Sequence, residues 1–129
     1  MKSLTATGGV VVVCLVFSAG ARAADVAAGK AIFDKTCANC HSTEAGVNKV
    51  GPTLFDIVGR PIGSVHGYDY SEKMRAVAKQ WKVWDEKHLD TYLTNPREVL
   101  HGVKMFFSLP DAKDRADVIA YLNTVQEDK

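Results

Sequence analysis

Five consecutive residues, Cys37-Ala38-Asn39-Cys40-His41, restrict the fold of this chain more than any other feature. On a helical turn, positions three and four apart share a face, so both sulfurs and the imidazole would project from one side of the backbone. Cys-x-x-Cys-His at this spacing is the attachment sequence of c-type haem: two thiols for the two vinyl groups and a histidine for the iron. A chain that grips a flat apolar group of that size has to build its core around it. Two other uses of a cysteine pair compete with this one. A thioredoxin-like dithiol would sit near a β-α-β pattern, and no strand-rich segment is present. A structural zinc site takes four ligands, and there is no second Cys-x-x-Cys.

The rest of the cysteine usage agrees with this reading. Of three cysteines, Cys14 lies in an apolar run from Gly8 to Phe17 that comes after a weakly positive start, Met1-Lys2. That run is shorter than the roughly 20 residues a membrane-spanning helix needs. It leads to small residues, and Ala21-Arg22-Ala23 fits a signal-peptidase site. The expectation is an export signal over residues 1–23, cleaved after Ala23, and one domain over 24–129. No membrane span remains in the mature form. Removing 23 of 129 residues leaves 106. Without Lys2 and Arg22 there are fourteen basic and fifteen acidic side chains, a balance of −1. Nucleic-acid binding needs clustered positive charge, and this composition argues against it.

The chain reads as all-α with long loops. Asp25 is a candidate N-cap for a helix to Asn39, with Val26, Gly29, Phe33, Cys37 and Cys40 recurring every three or four residues. Gly29 costs such a helix about 1 kcal/mol relative to alanine. Its presence predicts close approach by another backbone. The expected partner is the C-terminal segment, where Asp111, Asp114 and Asp117 favour the early turns and Val118, Tyr121, Leu122 and Val125 form an apolar stripe. Between the two, residues 42–70 are rich in glycine and proline, a length of loop that makes sense when it wraps a cofactor. Ser71 caps a short helix with Met74, Val77, Ala78 and Trp81 on one face. Asp85 caps another, with Leu89, Tyr92 and Leu93 inward, and Pro96 stops it.

The iron's sixth ligand comes from a short list. Met74 has helical spacing and reads as core. Met105, in the non-helical run Gly102-Val103-Lys104-Met105-Phe106-Phe107, is the candidate, and a thioether there would raise the reduction potential. His101 is the nearest alternative, while His66 and His88 read as solvent-facing.

Taken together, Gly29-Lys-Ala-Ile-Phe33, Cys37 to His41, Gly51-Pro52, Gly59-Arg60, Gly67-Tyr-Asp-Tyr70, Trp84, Tyr92-Leu93, Asn95-Pro96, Gly102-Val-Lys-Met105 and Asp117-Val-Ile-Ala-Tyr-Leu122 resemble the class I cytochromes c, especially bacterial soluble ones near the mitochondrial type. The resemblance implies the class I cytochrome c fold and one haem c held covalently by Cys37 and Cys40. His41 and Met105 would be its metal ligands. It further implies that the Pro52 carbonyl orients His41, that Arg60, Tyr68, Tyr70 and Trp84 neighbour the propionates, and that Tyr92 lies near the methionine sulfur. The implied function is a monomeric periplasmic one-electron carrier in a respiratory or related chain of a Gram-negative bacterium. It would dock on redox protein partners near an exposed haem edge, and it is not an enzyme. The alternative is a haem enzyme or gas- or peroxide-binding protein with a displaceable sixth ligand. Val103 replaces a usual threonine and His101 a usual proline, which would loosen the ligand loop. The family's lysine ring is reduced to Lys35, Lys49, Arg97 and Lys104.

Overall fold

The structure, a computed structural model, describes residues 22–103 and 105–127. Cys14 and nearly all of the expected export signal lie outside the described residues, as does Lys104.

The Asp25 carboxylate accepts hydrogen bonds from the N–H groups of Ala27 and Ala28 at 2.9 and 3.1 Å, and so starts α1 (Val26–Ile32). The single helix expected as far as Asn39 does not form. The α-helical part ends at Ile32 and continues as a π-helical turn, Phe33–Cys37. In that turn the Ala38 N–H donates to the Phe33 carbonyl, five residues back, at 3.0 Å. The wider turn rotates the next residues about the helix axis, so spacings of three and four carried across it do not mark one face. Ahead of that turn the stripe is also incomplete: Phe33 is buried, whereas Val26, the first residue of α1, is 43 % exposed.

The C-terminal helix, α5 (Ala112–Thr124), is capped by Asp111 and crosses α1 at Gly29, as the glycine predicts. A Cβ on Gly29 would overlap the Asp117 carbonyl and come within 2.9 Å of the Val118 nitrogen. Phe33 and Tyr121 close the crossing, ring centroids 5.5 Å apart. Asp117 does more than favour an early turn. It is buried, accepts from the Asp25 N–H at 2.7 Å, and is held by Lys113, so one carboxylate joins the starts of both terminal segments. Val118 and Leu122 are buried as the stripe requires, and Ile119 joins them because α5 also packs on a second helix.

That second helix is α3 (Glu86–Thr94), capped by Asp85, with Leu89, Tyr92 and Leu93 buried. It comes after α2 (Glu72–Trp81), capped by Ser71, whose Met74, Val77, Ala78 and Trp81 pack on the core without any becoming fully buried. Pro96 ends α3 and also opens a one-turn helix, α4 (Pro96–Val99), since a proline at the first position lacks only an N–H that has no intrahelical partner there. His88 is not the solvent-facing residue expected. Its ring stacks on Trp81 at 4.5 Å with planes 7° apart, and its Nδ1 lies 3.0 Å from the Val83 carbonyl. α3 folds back over the end of α2 and brings the two rings together.

The long loop is packed, not structureless. Gly59 and Trp84 are joined by an N–H to carbonyl bond of 2.7 Å, Arg60 accepts from the Trp84 N–H at 2.9 Å, and the Asp56 N–H reaches the Val125 carbonyl at 2.7 Å. Ile57 and Ile62 enter the core. Among the described residues the only β pairing is an isolated bridge, Pro61 with Val83. The all-α expectation stands. No described helix is long and apolar enough to cross a membrane.

Candidate functional site

The motif is wound into one turn. The Cys37 carbonyl accepts from both the Cys40 N–H at 3.0 Å and the His41 N–H at 2.9 Å. Both thiols are unpaired with each other. Cys37 is half-buried, and burial pushes its thiol up, against a weaker opposite pull from the Thr36 hydroxyl at 3.5 Å.

His41 is clamped from two sides. Its Nδ1 lies 2.8 Å from the Pro52 carbonyl. A carbonyl only accepts, so Nδ1 carries the proton and Nε2 keeps its lone pair. Burial holds the imidazole below the ordinary histidine range. The Pro52 hydrogen bond pushes the other way, and the charges of Arg60 and Lys49 push it lower still. Gly51 lies flat against the ring, where a Cβ would overlap it. The 42–54 loop that delivers Gly51 and Pro52 is held by its own bonds: Gly51 N–H to the Cys40 carbonyl at 2.8 Å, Thr53 N–H to the Asn48 side chain at 3.0 Å, Thr53 hydroxyl to the Glu44 carbonyl at 2.7 Å. Sequence reasoning passed over Asn48 and Thr53, and it counted Gly51 in the family resemblance without giving it a role at the histidine. The glycine directly before Pro52 was the available signal.

On α3, Tyr92 points its hydroxyl at the Met105 sulfur, 3.9 Å away. Tyr92 is buried, and its phenol is pushed up to about 12 chiefly by that burial, with Tyr68 adding to the effect. Trp84 packs on Tyr92 at 5.1 Å and on Trp81 at 6.0 Å. The Tyr68 and Tyr70 rings meet edge to face at 4.9 Å. The Tyr68 hydroxyl donates to the Val50 carbonyl at 3.2 Å, and the Tyr70 hydroxyl accepts from the Val65 N–H at 3.3 Å. Arg60 gives one guanidinium nitrogen to the Phe55 carbonyl at 2.6 Å. Its Nε is buried with no hydrogen-bond partner among the described residues. The sequence-predicted residues thus form three groups: the motif with Pro52, the Trp84–Tyr92–Met105 line, and the Arg60–Tyr68–Tyr70 cluster. Of the rivals for the iron, His66 and His101 are exposed and His88 is committed to Trp81.

A haem c fits this donor set. Two unpaired thiols one turn apart, an imidazole with Nε2 unprotonated, and a thioether with a directed hydroxyl match its attachment and ligation chemistry. A buried guanidinium N–H lacking an acceptor suits a carboxylate such as a propionate.

Comparison with known proteins gives the same answer. The cytochrome c family model matches residues 26–126. A cytochrome c of Euglena viridis is 38 % identical over 104 residues, covering 80 % of this chain and 99 % of that protein. A cytochrome c2 of Rhodopila globiformis is 42 % identical over 103 residues, covering 79 % and 94 %. A c-type cytochrome cy of Rhodobacter capsulatus is 44 % identical over 102 residues, which is 78 % of this chain but 49 % of that longer protein.

Proposed function

Because this chain belongs to the cytochrome c family, an electron carrier with one haem c bound covalently through Cys37 and Cys40, we propose that it relays single electrons between redox proteins of a periplasmic respiratory or related chain, with His41 and Met105 as the residues that would ligate the iron. Haem, when bound, supplies a one-electron ferric–ferrous couple. The protein supplies the rest. Pro52 fixes the tautomer and plane of His41, and Gly51 lets the backbone close on the ring. Tyr92 points a hydroxyl at the Met105 sulfur and fills the space beside it with apolar ring. Arg60, Tyr68, Tyr70 and Trp84 would neighbour the propionates, as the family resemblance implies, with the unpartnered Arg60 N–H as the donor best suited to a carboxylate. The buried, packed rings of Trp84 and Tyr92 would exclude water from the bound group and hold its ligands rigidly.

The single observation that carries this reading is the His41 clamp, a neutral imidazole with Nδ1 spoken for and Nε2 free, one turn from two unpaired thiols. The export signal ends after Ala23, and residues 24–129 form the mature monomer; Arg22 to Ala24 are exposed and lead straight into the Asp25 cap, where a peptidase has access. Partners dock at the exposed haem edge. Lys35, Lys49 and Arg97 are exposed and are the cations that would supply a thin positive patch for that docking.

The test is made on protein matured in its own host. Intact mass should show one haem on Cys37 and Cys40. The oxidised protein should show a near-infrared sulfur-to-iron charge-transfer band that Met105→Ala abolishes. A band surviving Met105→Ala refutes the ligand assignment. Rapid, complete carbon monoxide binding to the reduced protein at neutral pH would replace the relay by an open-iron enzyme.

A further inference from the structure

Among the described residues, the segment that carries Met105 has few ties of its own. The Val103 N–H closes a turn on the Leu100 carbonyl at 2.9 Å, and the next backbone bond to another element among the described residues is the Leu109 N–H to the Leu93 carbonyl at 2.8 Å. Between these points Gly102 takes a φ of +82°, which a residue with a side chain rarely adopts. Among the described residues, one side chain from elsewhere in the fold donates to the backbone between these two bonds. Lys73, in the first turn of α2, donates through Nζ to the His101 carbonyl. The same nitrogen lies 3.2 Å from where a Cβ on Gly102 would sit. An ammonium in the first turn is unfavourable for a helix, because the exposed N–H groups there already carry partial positive charge. The helix gains nothing from Lys73. The carbonyl of the ligand loop does.

We propose that Lys73 is a positioning residue for Met105: by tying the His101 carbonyl to α2 it limits the excursions of the ligand loop and so favours sulfur on the iron. This rests on the reading of Met105 as the sixth ligand. A thioether is a neutral and weak ligand, so its occupancy depends on how narrowly the protein holds it in place. Tyr92 restrains the sulfur from α3, and Lys73 restrains the backbone four residues earlier from α2. At the two positions where family resemblance implies a proline and a threonine this chain has His101 and Val103. The Lys73 strut restores from outside the loop the stiffness those residues would have provided within it.

The test compares Lys73→Met, which keeps the aliphatic stem and removes the donors, with Lys73→Arg, which keeps a donor. Lys79→Met, on the exposed side of the same helix, controls for loss of one positive charge. The readouts on the haem-loaded protein are the carbon monoxide association rate of the reduced form and the temperature at which the oxidised form loses its charge-transfer band. Lys73→Met should bind carbon monoxide about fivefold faster than wild type, the scale of one exposed charge-assisted hydrogen bond, and lose the band at lower temperature. Lys73→Arg and Lys79→Met should stay within about twofold of wild type on that scale. The proposal is overturned if Lys73→Met matches wild type in both readouts, or if Lys79→Met speeds binding equally. Should the wild type itself lack the band, the Met105 assignment fails first and the Lys73 role with it.

Discussion

Replacing Gly29 by alanine adds one methyl group where the two terminal helices touch. The added Cβ would sit 2.9 Å from the Val118 nitrogen and nearer still to the Asp117 carbonyl. Both are backbone atoms inside α5, so no rotamer change relieves the overlap, and because the Asp117 carbonyl is the nearer of the two the helices have to part by roughly 2 Å to restore van der Waals contact near 4 Å. Overpacking of this kind costs about 1–3 kcal/mol. The movement also stretches the Asp25 N–H to Asp117 hydrogen bond, which spans the same junction at 2.7 Å and is worth about 1 kcal/mol. Alanine returns about 1 kcal/mol of helix propensity. The net expectation is destabilisation by about 2 kcal/mol, or a fall in Tm of roughly 10 °C for a domain of this size. Chemical denaturation of the haem-loaded protein, with calorimetry for Tm, measures it. If Gly29→Ala proved as stable as wild type or more so, propensity would outweigh contact and the crossing at Gly29 would be wrong.

Tyr92 makes the alkaline limb of stability predictable. Its phenol is raised from 10.0 to about 12 by burial, so the contribution is intact below about pH 10 and is lost as pH rises towards 12, when only the unfolded chain ionises freely. At about 1.4 kcal/mol per pH unit the loss is roughly 2–3 kcal/mol; urea midpoints for wild type should fall over that window, and Tyr92→Phe should fall less. Asp117 governs the acid limb with the opposite sign. The Asp25 N–H first, and Lys113 second, hold its carboxyl below the ordinary 3.8, so its stabilisation is present above that value and disappears as pH falls through the lower folded-state value. Asp117→Asn should be less stable than wild type at neutral pH, and the gap should narrow in acid; a gap independent of pH in the same urea titration would show that charge is not the cause.

Much of the site was legible because its chemistry is local. The turn from Cys37 to His41 is set by residues three and four apart, and caps such as Ser71, Asp85 and Asp111 act on N–H groups within three residues. The crossing at Gly29 was legible because a glycine inside a helix has a cost that needs a reason. The π-helical turn was not, since residues 33–37 carry no composition that separates a five-residue hydrogen bond from a four-residue one. The fate of His88 depended on how α3 folds back on Trp81, more than its own neighbours reveal. Asp117 read as a helix-start acid because a carboxylate near an N-terminus is favourable in any helix. That its oxygen caps a different segment, 92 residues away, comes only from the packing.

By itself, the sequence determined which atoms can hold the group: two thiols, an imidazole and a methionine late in the chain, with helices at both ends and a long loop between. Only the tertiary structure decided how these are held: Gly51 flat against the imidazole, Lys73 on the His101 carbonyl, a buried Arg60 N–H left for a partner, and the directions and distances of the Pro52 and Tyr92 contacts that the family resemblance had implied. The division has a physical cause. Bonding capacity belongs to a residue type and its near neighbours, whereas direction and burial arise from segments far apart in the chain that share one core.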